Sequence, residues 1–202
     1  YKLERDVKMN NQNSDLQNII SFVKELEHLK NTLRTAWTKD KRQESVAEHS
    51  WRLALFSLVL EDHFLNIDFN KIIRMCLIHD LGEAYEGDTP AILNINKQEK
   101  IQQESQSISK LTASLSENTR NKIFELWEEY NKGETEEAKL VKALDKMETI
   151  IQHNQGYTPV DFNHEFNVSY GKEFSLHNPI IKMLRNYIEN ETKNKIKQRD
   201  LT

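Results

Sequence analysis

The chain has 202 residues, a formal net charge of −4, 30% charged residues and a single cysteine, Cys76. That length accommodates one domain with a substantial core, the interspersed charge excludes a basic face for nucleic acid or anionic lipid, and one thiol excludes an internal disulfide framework. No apolar run approaches the roughly 18 residues that span a bilayer and no signal-peptide layout opens the chain, so a cytoplasmic protein with no membrane partner is expected. Only five glycines and three prolines occur, and apolar residues recur at three- and four-residue intervals, which predicts an all-α fold. Residues 1–13 are set aside as a tag-like or disordered N-terminus, and 14–202 read as a single domain. A first helix, capped by Ser14 or Asp15, runs through Leu16, Ile19, Ile20, Val23 and Leu26 to about Leu33. The polar stretch "RTAWTKDKRQE" then reads as a connection. Ser45 and Glu48 of "SVAE" fit a capping box that opens a second helix to about Phe64. Asp68 or Asn70 starts a third, continuing to about Tyr85 and terminated at Gly87 and Pro90. Helices follow at about 97–115, 117–131 and 136–153, the last capped by Thr135. The region 154–178 is looser, with "TPVD" at Thr158–Asp161 as a further helix cap, and a closing helix begins at Asn178–Pro179. Trp51, Trp127 and Cys76 read as packing residues, and the lysine-rich end "KNKIKQR" as a solvated tail.

Ionisable groups interrupt this apolar pattern. At about 100° per residue, His49 shares a helical stripe with Leu53, Phe56 and Leu60. His79 follows Ile72, Met75 and Cys76 on one face of the next helix, with Glu83 one turn further and Asp80 a quarter turn away. Burying carboxylates beside imidazoles is costly unless a cation compensates them. A metal answers that need, with His79 and Asp80 from one helix end, His49 from its neighbour, and Asp145 as fourth ligand from a helix whose apolar stripe includes Leu140, Leu144 and Ile151. Two imidazoles and two carboxylates suit manganese, iron, cobalt, nickel or zinc and leave the choice among them open.

A histidine, a His–Asp pair about thirty residues on, and a distant aspartate, all on helices, resemble the HD superfamily of metal-dependent phosphohydrolases. The segments "SVAEHSWR", "HDLGEAYEGDTP" and "EAKLVKALDKME" are similar to its 5′-deoxynucleotidase branch. The resemblance implies an HD-domain helical bundle with a metal site between helices and His49, His79, Asp80 and Asp145 as ligands. It also implies Glu83 as the group that orients or deprotonates the nucleophilic water, and Asp88 as the group that serves the leaving 5′-oxygen. Arg34 would contact the substrate's phosphate or sugar and Trp37 would pack on the deoxyribose, with Lys41 and Arg42 as alternative phosphate contacts. The implied activity is hydrolysis of deoxynucleoside 5′-monophosphates, the implied partner a nucleotide substrate, and the implied assembly a homodimer. Two alternatives stay open: another HD-type hydrolysis, of a cyclic nucleotide, a nucleoside triphosphate or a pyrophosphorylated guanosine, and a metal-bearing module that binds nucleotide without turnover.

Overall fold

The structure is a computed structural model that describes residues 2–93 and 96–199. Its elements, in chain order, are α1 (Lys2–Glu25), α2 (Glu27–Asn31), β1 (Leu33–Trp37), β2 (Gln43–Ser45), α3 (Val46–Leu58), α4 (Phe69–Ile78), α5 (Glu83–Glu86), α6 (Lys97–Leu111), α7 (Glu117–Lys132), α8 (Glu136–Gln155), α9 (His164–Ser169) and α10 (Pro179–Arg199). The all-α expectation holds, with one addition. The stretch read as a connection forms an antiparallel hairpin, in which Leu33 faces Ser45 and Trp37 faces Gln43. Four steps on one strand against two on the other require a bulge, and bulges re-aim side chains.

Local signals place most helix starts. Ser45 and Glu48 make the expected capping box. Asp68, Thr135 and Asn178 each accept a backbone N–H at the starts of α4, α8 and α10. Ser14 and Asp15, in contrast, lie inside α1, which breaks at Leu26 and ends its apolar stripe in solvent: Leu16, Ile19, Ile20 and Val23 are exposed. "TPVD" starts no helix either, and α9 opens later at Asn163, whose side chain accepts the Phe166 N–H. Trp51 is exposed while Trp127 and Cys76 are core. Lys195 in the presumed solvated tail donates to the carbonyls of His153, Asn154 and Gly156, a cation set on the carbonyl end of α8.

The buried apolar residues form two clusters. One joins Leu53, Ile72, Met75, Cys76, Leu144 and Ile150 across α3, α4 and α8. The other joins Leu29, Val46, Leu81, Ile108, Leu111 and Trp127. Along α3, His49 falls between Val46 of the second cluster and Leu53 of the first. After α4, His79 and Asp80 fall between Cys76 and Leu81. The polar groups therefore occupy the seam between two cores, with α8 running past it.

Candidate metal centre

The expected ligands converge. His49 Nε2 lies 3.1 Å from Asp145 Oδ1 and 3.7 Å from Asp80 Oδ2. His79 Nε2 lies 3.1 Å from the same Asp80 oxygen and 3.9 Å from Asp145 Oδ1. Donors held at about 2.1 Å from one ion and spread over 90–140° are about 3 to 4 Å apart, so these separations fit a single divalent centre. The remaining atoms of the donors are occupied in a way that leaves the converging ones available. His79 Nδ1–H donates to the Cys76 carbonyl at 2.8 Å and His49 Nδ1–H to Glu148, so both rings turn a lone-pair nitrogen inward. Tyr130 Oη and Lys146 Nζ donate to Asp145 Oδ2 at 2.7 and 2.8 Å, leaving Oδ1 for an ion. His79 Nε2 is buried with no hydrogen-bond partner among the described residues. A buried ring nitrogen in that condition fits a metal ligand better than a packing residue. Burial works against ionising Asp145, yet Lys146 and the two imidazoles outweigh it and hold the carboxyl well below its usual range.

The arrangement of Glu83 differs from the expectation in its cause. The helix does not run on from His79 to Glu83: α4 stops at Ile78, and bonds from Leu81 to Ile78 and from Glu83 to Asp80 tighten the chain into a turn before α5. That turn delivers His79, Asp80 and Glu83 to one wall of a cavity of about 570 Å³. Glu83 is buried, Lys100 Nζ is 3.4 Å from Oε1, and Oε2 has no hydrogen-bond partner among the described residues. Burial, reinforced by Asp80 and Asp88, pushes its carboxyl well above the usual range against the pull of Lys100 and Arg34. Asp88 lines the cavity just past Gly87, whose φ of 87° takes the chain sharply off α5.

Arg34 and Trp37 also line the cavity, which their three-residue separation on a regular strand would forbid and the bulge permits. Arg34 Nη2 donates to Thr149 at 3.0 Å and Nη1 sits 3.4 Å from Asp80. Arg42 and Lys41 do not line it. Arg42 pairs with Glu48 at 2.6 Å, and Lys41 lies over the Tyr157 ring, so the alternative phosphate contacts are set aside. The sequence reading missed Lys97, Lys100, Lys142 and Lys146, which give the cavity a cationic wall. Burial, with Lys146 nearby, lowers the Lys142 ammonium to about 8.

A family model for the HD domain matches residues 26–184. The chain belongs to the HD-domain family. Among similar members is the 5′-deoxynucleotidase HDDC2 of Dictyostelium discoideum, 35% identical over 193 residues that cover 88% of this chain and all of that one. The human 5′-deoxynucleotidase HDDC2 is 36% identical over 141 residues, 69% of this chain and 68% of its own. Among solved structures, a predicted metal-dependent phosphohydrolase from Magnetospirillum magnetotacticum shares the HD fold with a TM-score of 0.73, at 26% identity over 93% of this chain and 95% of that one. Among the described residues, no helix of this HD-domain chain is long and apolar enough to cross a membrane.

Proposed function

We propose that this HD-domain chain is a metal-dependent 5′-deoxynucleotidase that hydrolyses deoxynucleoside 5′-monophosphates to deoxynucleosides and phosphate. The observation that carries it is the convergence of four donor atoms from three segments, with His79, Asp80 and Asp145 on the wall of a cavity that also presents Glu83, Arg34 and a row of lysines. The likeness to proteins named 5′-deoxynucleotidases supports the choice of substrate. His49, His79, Asp80 and Asp145 hold the ion in this reading, which when bound polarises the phosphoryl group and acidifies its water. Manganese, iron, cobalt, nickel and zinc all suit the donors. Arg34 takes the phosphate with a planar pair of donors. Glu83, with one carboxylate oxygen already beside Lys100, uses the other to orient the attacking water and receive its proton. Asp88, also on the cavity wall, serves the departing 5′-oxygen, and Trp37 walls the sugar on the side a 2′-hydroxyl would occupy. A cytoplasmic location and a homodimer belong to the same reading; Trp51 and Leu55 of α3 and Val59 just after it, exposed at four-residue intervals, support a self-association face, checked by light scattering.

The test is phosphate release from dAMP, dTMP and AMP with cobalt or manganese added, repeated with Glu83→Ala. Release from the deoxy substrates that disappears in the variant is the expected result. Turnover of cyclic nucleotides, nucleoside triphosphates or pyrophosphorylated guanosine instead, or tight nucleotide binding without turnover, would replace this reading by one of its two alternatives.

A further inference from the structure

Glu148 is 1% exposed and is not among the proposed ligands. It occupies the far nitrogen of His49, accepting Nδ1–H through Oε2, while Arg52 on the next turn of α3 donates to Oε1. Burial opposes a charge on this carboxyl, but His49 and Arg52 hold it below the usual range. The same guanidinium donates to Gln152 Oε1 at 2.5 Å, and Gln152 Nε2 donates to the main-chain carbonyl of Trp37, also at 2.5 Å. An unbroken line of polar contacts therefore runs from His49 through Glu148, Arg52 and Gln152 to the strand that carries Trp37. A carboxylate is poorly accommodated at such a depth unless it is paired, and here both oxygens of Glu148 are engaged, one by His49 and one by the half-buried Arg52.

We propose that Glu148 is a positioning residue with two effects. It fixes His49 as the tautomer whose Nε2 lone pair faces the ion, and through Arg52 and Gln152 it holds the Trp37 strand at a set distance from that ion. The inference rests on the metal-centre reading above. Outer partners of metal-bound imidazoles typically change metal affinity by about 10–100-fold. The experiment measures cobalt affinity of the purified chain by competition with a chelator, and separately KM for dAMP, for wild type, Glu148→Gln, Glu148→Asp and Arg52→Met. Glu148→Gln is expected to weaken cobalt binding at least tenfold with circular dichroism unchanged, and Glu148→Asp, which keeps the charge, to restore part of the loss. Arg52→Met leaves Glu148 opposite His49 and cuts the link to Gln152, so KM should rise at least threefold with cobalt affinity within threefold of wild type. Cobalt binding by Glu148→Gln or, where that variant fails to fold, by Glu148→Asp within twofold of wild type overturns the first effect. An unchanged KM in Arg52→Met overturns the second. A wild-type chain that takes up no cobalt overturns the metal centre itself, which separates that failure from the other two.

Discussion

His79 and His49 each have Nδ1–H engaged by an oxygen of the protein, and Asp145 has one carboxylate oxygen engaged by Tyr130 and Lys146, so the atoms left over are those that meet. Asp145→Asn keeps the shape of the side chain and removes its charge; cobalt affinity should fall at least tenfold, with phosphate release falling in parallel, as read by chelator competition and a phosphate assay. Glu83→Gln should instead leave cobalt affinity near wild type and lower kcat about 10²–10⁴-fold, the usual contribution of a positioned proton acceptor. His153 provides a pH test away from the donors. Burial lowers its imidazole from 6.5 to about 4, against hydrogen bonds to Asn167 and Thr35. The unfolded chain then binds this proton more readily than the folded one, so the stability His153 supports is complete above pH 6.5 and is lost as pH falls toward 4. Thermal midpoints measured from pH 7 to pH 4.5 should fall less steeply in His153→Gln than in wild type. The converging donors were legible because ionisable residues on an apolar stripe are conspicuous. Glu148 and Lys146 were not, since Glu148 is buried against partners on α3 and Lys146 lies over the Tyr170 ring just after α9, contacts that local spacing does not reveal.

The elements that shape the cavity are those in which the chain departs from regular periodicity. The break after Ile78 was hidden because Leu81, Glu83 and Ala84 continue a helical pattern that the turn between α4 and α5 interrupts. The hairpin was hidden because "TKDKRQE" has the composition of a loop and only Leu33, Ala36 and Trp37 hint at a strand. Caps were the most legible signal, as Ser45, Asp68, Thr135 and Asn178 show, because a cap is a contact within four residues and needs no distant partner. "TPVD" misled for the complementary reason: it has the residues of a cap, and nothing after it packs as a helix until Asn163. The strand is fastened to the end of α8 by its backbone, with Gln152 bonded to the Trp37 carbonyl and Tyr157 N–H to the Thr38 carbonyl. Gly156 makes this possible, since a Cβ there would come within 1.9 Å of the Trp37 oxygen. Gly156→Ala must therefore push the strand away. It should lower the thermal midpoint by several degrees, consistent with roughly 1–3 kcal/mol of overpacking, and raise KM for dAMP more than it lowers kcat.

Across the whole molecule, the seam between the two apolar clusters holds the acidic and imidazole groups, so an ion bound there ties α3, α4 and α8 together at the border where their shared core meets the second one. Ligand that binds only the folded chain adds about 2.7 kcal/mol at a free concentration one hundred times its dissociation constant. Cobalt or manganese should accordingly raise the thermal midpoint of the wild type by several degrees, chelator should reverse the rise, and Asp145→Asn should show little of it in differential scanning fluorimetry. The helical class, the order of the donors and the place of α8 beside them followed from periodicity; the division into two cores did not, because it depends on which faces meet. The residues that α8 turns toward the site and the strand, Asp145, Glu148, Thr149, Gln152, His153 and Gly156, are spaced 3, 4, 7, 8 and 11 positions from the first. One extra residue inserted after Asp145 would swing every later member of that set about 100° around the axis, detaching the strand from the ion while leaving the composition of the helix untouched. An insertion within this helix therefore disturbs more of the site than any single change of side chain, whereas the hairpin tip at Lys39 to Lys41, outside the cavity, is the place where the chain can grow.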